Sequence, residues 1–204
     1  MPNSRVTFSE KFVAETISVL RETDADSIEA VARGLSMVRD QGGRLFILGA
    51  GDSSTHARRA ASDFRNLCDF EAYAPTDSCE AALSNWLIGC RPVARDGILV
   101  FSVGGGALDI SVSVDLVDAI DFCRTVGASV FGILGRDGGH TAQVADACVV
   151  IPPVFSERIG PHTEGLFAVV WHLLVSHPVL QRNDSRAAGY FDRLSGQPLA
   201  QLAP

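Results

Sequence analysis

Apolar residues recur at helical spacing early in the chain: Phe8, Phe12, Ile17 and Leu20, then Ile28, Val31, Leu35 and Val38. The pattern predicts two amphipathic helices, broken at Thr23-Asp24-Ala25-Asp26-Ser27 and closed at Asp40-Gln41-Gly42-Gly43. From Arg44 the pattern changes to short unbroken apolar runs alternating with helical stretches. Strands are expected at Arg44–Leu48, near Phe70–Tyr73, and at Gly97–Ser102, Ser129–Leu134 and Ala147–Ile151. Helices are expected over about Ser53–Leu67, Glu80–Leu87, Ile110–Thr125, Thr141–Ala145 and His162–Ser176, the last stopped by Pro178. Val/Ile/Leu-rich strands without polar alternation are buried on both faces, and strands alternating with helices build a parallel sheet. The expected fold is α/β, a three-layer sandwich with about five parallel strands.

At 204 residues the chain suits one domain. Its expected parts are N-terminal helices over 8–40, an α/β core over 44–178 and a polar extension over 179–204. The net charge of −7 argues against general affinity for nucleic acid or an anionic membrane. No apolar run reaches the ~18 residues of a membrane span, and the N-terminus lacks a signal-peptide core. A hydrophobic content of 47% with 20% charged residues points to burial between subunits, with Phe8, Phe12, Ile17 and Leu20 as the covered stripe. Five cysteines without a C-x-x-C spacing argue against thiolate zinc and fit a reducing cytoplasm. Cys123 and Cys148 read as small core residues, and only Cys79, beside Asp77, falls near a candidate pocket.

Two strands leave the sheet into glycine-rich turns, Gly49-Ala50-Gly51-Asp52-Ser53-Ser54 and Ser102-Val103-Gly104-Gly105-Gly106. Where such turns open helices, backbone N–H groups converge on an anion. The candidate substrate contacts are therefore Gly51, Asp52, Ser53, Ser54, Ser102, Gly104, Gly105 and Gly106, joined by Arg59 and by Asp77 in its loop. Asp52 puts a carboxylate beside the anion site, which is unfavourable unless it caps the helix or meets sugar hydroxyls. A dinucleotide fingerprint is incomplete, because its third glycine falls on Ser54.

These loops, with Thr76-Asp77, Gly135-Arg136-Asp137-Gly138-Gly139 and Ala145-Asp146, make residues 8–178 resemble the sugar isomerase (SIS) domain, particularly the phosphoheptose isomerases. The resemblance implies a flavodoxin-like homotetramer with active sites between subunits. It also implies interconversion of sedoheptulose 7-phosphate and a heptose 7-phosphate through an enediol. The family's helix after the first loop presents a His and, four residues later, a Glu; here these are Arg59 and Asp63. Its last helix presents a Gln and, eight residues later, a His; here these are Glu164 and His172.

Some family members bind zinc with these four positions. Arg59 has no acceptor and cannot be a ligand, so no cofactor is required, with Asp63, Glu164 and His172 as the set for a possible zinc site. The resemblance makes His172 with Asp63 or Glu164 the acid–base pair.

Each residue also has a plainer role. His172 reads as a hydrogen-bonded helix histidine, Arg59–Asp63 as a surface ion pair, and Glu164 as a complement to the helix dipole. His56 and His162 read as capping or solvent residues. A non-catalytic protein that binds a phosphosugar or a protein partner is the alternative function.

Overall fold

The computed structural model describes residues 6–76, 82–106 and 111–182, with the side chains of 111–113 left aside. Two helices, α1 (Phe8–Glu22) and α2 (Ala25–Asp40), precede the sheet. A capping box starts α1: Thr7 Oγ1 accepts from the Glu10 N–H, and the Glu10 carboxylate accepts from the Thr7 N–H. Asp24 starts α2 by accepting from the Asp26 N–H.

Then β1 (Leu45–Gly49), α3 (Ser54–Cys68), β2 (Ala72–Tyr73), α4 (Leu83–Cys90) and β3 (Gly97–Ser102) alternate. They are followed by α5 (Ser111–Thr125), β4 (Ser129–Leu134), α6 (Gly139–Val144), β5 (Ala147–Val150) and α7 (Ile159–Ser176). All strand pairs are parallel, in the order β2-β1-β3-β4-β5. The expected parallel sheet and its layers are therefore present.

Side chains alternate between the two faces of each strand. Leu45, Ile47, Leu99, Phe101, Phe131 and Ile133 face a layer made by α2, α3 and α7. Phe46, Leu48, Ile98, Val100, Val130 and Leu134 face α4, α5 and α6. Ile28, Val31, Leu35 and Val38 are buried as the pattern predicts, and so is Cys123, while Cys148 is half-buried. Burial pushes the Cys123 thiol up to about 12, as suits a residue that serves packing alone. Cys79 and Asp77 lie outside the described residues.

One expectation needs correcting. Helix α7 begins at Ile159, before His162, because Pro161 falls in its first turn, where no intrahelical N–H bond is lost. Within one chain the α1 stripe, expected to be covered by another copy, is largely exposed: Phe8 is 70% exposed and Ile17 and Leu20 each 45%, while the buried residues are Glu15 and Val19. An ionic contact, described below, turns the Glu15 face of α1 inward and leaves much of the apolar stripe outward. No helix among the described residues is long and apolar enough to cross a membrane.

Candidate functional site

The strand order reverses between β1 and β3, whose chains leave the sheet in opposite lateral directions. In open parallel sheets that switch point, at the carboxyl ends of the strands, is where ligands bind. Both glycine loops end there.

The first loop is a single 3-10 turn, Gly51–Ser53, with Gly51 at φ +59. It folds back so tightly that a Cβ on Gly49 would overlap the Ser53 carbonyl. Ser53 is the N-cap residue of α3 but makes no side-chain cap bond. Asp52 precedes it and is exposed, one residue too early to act as the cap.

The second loop is built differently from the expected cradle of free N–H groups. The Gly105 N–H donates to Ser102 Oγ at 3.0 Å, and the Gly105 carbonyl accepts from both the N–H and the hydroxyl of Thr141. Gly105 has φ +66, and a Cβ there would overlap the Gly138 carbonyl. Ser102 and Gly105 thus lock this loop to the Gly135–Gly139 turn. Gly105 is therefore unsuited as a pure binding probe, because enlarging it disturbs the packing of two loops.

Helix α7 closes over this edge. A Cβ on Gly135 would meet Thr163 Oγ1 and the Val103 carbonyl, each at 2.8 Å, so the second turn of α7 sits directly on the loops. Beside Thr163, Glu164 reaches the first loop: Ser53 Oγ donates to Glu164 Oε1 at 2.7 Å, and His56 Nε2 lies 2.8 Å from Glu164 Oε2. The His56 ring is held edge-on by Phe167 and Trp171, with centroids at 5.6 and 5.3 Å. Both His56 and Glu164 keep about a quarter of their side chains exposed, 23% and 27%. Glu164 is the sixth residue of α7, beyond the turn where the dipole acts, and its partners are the loop and an imidazole.

A second group lies farther down the α3–α7 seam. The Asp63 side chain is 4% exposed and its Oδ2 accepts from Arg59 Nε and Trp171 Nε1, each at 3.2 Å. Arg59–Asp63 is thus an ion pair with a buried carboxylate, unlike a surface pair. His172 Nε2 is 3.8 Å from the same oxygen, too long for a hydrogen bond. His172 Nδ1 lies 2.6 Å from the Ala168 carbonyl, which can only accept, so Nδ1 carries the proton. The eight residues between Glu164 and His172 amount to ~12 Å along the helix axis.

Asp63 and His172 therefore come together, while Glu164 joins Ser53 and His56 instead. Among the described residues, no three His, Cys, Asp or Glu side chains are arranged to hold a metal ion. The Asp63, Glu164 and His172 set does not fit zinc, with a guanidinium on Asp63 and Glu164 engaged elsewhere.

His56 and His162 are also not simple capping or solvent residues. His162 is buried, with Nε2 3.2 Å from Glu15 Oε2 and Nδ1 3.3 Å from Thr16 Oγ1. Arg158 grips the same Glu15 with two bonds, at 2.6 and 2.7 Å, and holds its carboxyl down to about 2. The only sequence signal for His56 was its place three residues past Ser53, one turn into a helix opened by a glycine loop.

No family model matches the chain. A phosphoheptose isomerase of Chlorobium phaeobacteroides is 29% identical over 137 residues, 61% of this chain and 61% of that protein. One of Aliarcobacter butzleri is 24% identical over 181 residues, 84% of this chain and 91% of that protein. The match thus spans about three fifths of the first relative's length.

Among solved structures, the phosphoheptose isomerase of Neisseria gonorrhoeae superposes with a TM-score of 0.64 at 18% identity, covering 83% of this chain and 97% of that one. The sugar isomerase domain of the transcription factor RpiR from Sphaerobacter thermophilus gives 0.65 at 16% identity, covering 93% and 99%. The chain resembles phosphoheptose isomerases in sequence and has the fold of sugar isomerase domains.

Proposed function

We propose that this protein is a sugar-phosphate aldose–ketose isomerase, with sedoheptulose 7-phosphate as the leading substrate and an enediol as the intermediate. The observation that carries this reading is the hydrogen-bonded line Ser53–Glu164–His56 at the mouth of the first glycine loop. Isomerisation needs a group that takes a proton from carbon beside a carbonyl and returns it to the neighbouring carbon. The α3–α7 seam holds two carboxylate–imidazole couples, His56–Glu164 and His172–Asp63, for that work. Gly51, Ser53, Ser54 and Gly104 at the loop mouth are the proposed contacts for the sugar phosphate. The resemblance to relatives named phosphoheptose isomerases supports the substrate class.

A panel of five- to seven-carbon aldose and ketose phosphates, followed by NMR, tests the reading. Interconversion of one aldose–ketose pair is expected. A second reading, a phosphosugar-binding regulator, is favoured by the lock that Arg59 and Trp171 place on Asp63, and by the fold shared with a transcription factor's domain. Calorimetric binding of a panel member with no interconversion of any would select it. The same protein is proposed to be a homo-oligomer in which another copy covers the stripe of Phe8, Phe12, Ile17 and Leu20, of which Phe8, Ile17 and Leu20 are exposed in one chain. Light scattering at the 21.7 kDa of one chain would remove that part.

A further inference from the structure

Two imidazoles flank the seam, and their surroundings differ in chemistry. His172 spends its Nδ1–H on the Ala168 carbonyl of its own helix, and its Nε2 faces a carboxylate at 3.8 Å. That carboxylate already accepts from Arg59 and Trp171. A proton arriving at His172 would therefore meet a negative charge that is largely compensated.

His56 has the opposite arrangement. Its Nε2 stands 2.8 Å from a carboxylate that, among the described residues, otherwise accepts from the neutral Ser53 hydroxyl. A carboxylate accepts only, so Nε2 carries the proton and Nδ1 keeps its lone pair for use as a base. The imidazolium formed on protonation would be stabilised by an anion at hydrogen-bond distance. Phe167 and Trp171 fix the ring's plane, and Ser53 ties Glu164 to the loop at the sheet's switch point. His172 lies ~12 Å farther along α7 than Glu164.

We propose that His56 is the catalytic proton carrier and Glu164 its positioning residue, an assignment that rests on the isomerase reading above. In the step, His56 Nδ1 takes the proton from the hydroxyl-bearing carbon next to the carbonyl. The C–H electron pair becomes the enediol double bond, and the carbonyl oxygen takes a proton from water. The imidazolium then returns its proton to the former carbonyl carbon. The second enediol oxygen releases a proton to water and becomes the new carbonyl, so protons and electrons balance.

The test uses the full chain and the panel substrate that the wild-type protein turns over. H56Q is expected to lower kcat by ~10²–10⁴-fold with KM nearly unchanged. Wild-type protein in D2O should wash deuterium into substrate carbon, and H56Q should not. Free imidazole should restore part of the lost rate to H56A, which a purely structural role would not allow. E164Q should lower kcat more than it raises KM, with melting unchanged.

Full activity in H56Q, or loss of rate in H172Q with retention in H56Q, would overturn the assignment while leaving the isomerase reading intact. Failure of imidazole to restore any rate to a folded H56A would also overturn it. No turnover by wild-type protein of any panel sugar would bring down both the isomerase reading and this assignment.

Discussion

Glu15 on α1 and Glu164 on α7 each lie beside a histidine, and they differ in the company they keep. Glu15, on α1, is gripped by the Arg158 guanidinium, touched by His162 and approached by Lys11 at 3.8 Å. Both of its oxygens are hydrogen-bonded, to a permanently charged guanidinium and an imidazole, and the carboxyl is held at about 2. Among the described residues Glu164 meets one hydroxyl and one imidazole and keeps about a quarter of its side chain exposed. The first is a joint that docks an N-terminal helix, and the second pairs with a half-buried imidazole beside a loop. A His–carboxylate pair therefore says little about catalysis until its remaining partners are counted.

The largest effect is expected at the packing that stiffens the α3–α7 seam. Phe167 is fully buried against Phe101, at 5.4 Å, and holds the edge of His56. Phe167→Ala should cost ~3–5 kcal/mol in denaturant unfolding, at any pH where the protein folds. A loss below ~1 kcal/mol would mean the seam collapses around the cavity and the His56 ring is less fixed than it looks.

Gly105→Val comes next. The left-handed backbone costs a non-glycine residue ~1–2 kcal/mol, and overlap with the Gly138 carbonyl adds a similar amount. The expected outcome is a melting temperature lower by ~5 °C or more, together with weakened phosphosugar binding. Binding lost with melting intact would return the loop to the role of a free anion cradle.

The ionic joint should break with a pH signature. Arg158→Met removes the main cause of the low Glu15 carboxyl, and melting near pH 7 should fall by ~5 °C. The folded carboxyl sits below its ordinary 4.5, so the stabilisation is fully present above 4.5 and fades as pH falls toward about 2. Wild-type and variant melting curves should therefore converge in acid. A gap that stays constant down to about 2 would show that Arg158 acts through packing alone.

The smallest effect belongs to Lys11. It is mostly exposed and 3.8 Å from Glu15, so Lys11→Met should move melting by ~1 °C or less. A larger shift would make the joint a true charge network instead of an Arg–Glu clamp with a bystander.

Much of the architecture follows from local rules that the sequence carries by itself. Apolar runs without polar alternation at Leu45–Leu48, Ile98–Phe101 and Val130–Leu134 read as strands buried on both faces, and the helices between them call for parallel pairing. Gly49, Gly51 and Gly105 announce turns that other residues would obstruct. The helical spacing of Glu164 and His172 was readable too, since it depends only on residues per turn.

What the tertiary structure alone decided is which of those residues meet. Glu164 and His56 are 108 positions apart along the chain (164 − 56) and touch because α3 and α7 pack side by side on one face of the sheet. The same packing joins Asp63 to Trp171 and turns His172 toward its own helix carbonyl. The apolar stripe on α1 predicts a face covered by another chain, and within this chain the Glu15–Arg158 clamp turns Glu15 inward and leaves Phe8 and Ile17 exposed. Periodicity reports one helix's own geometry, whereas the partner of a charged or polar group depends on which distant segment the core brings within ~3 Å.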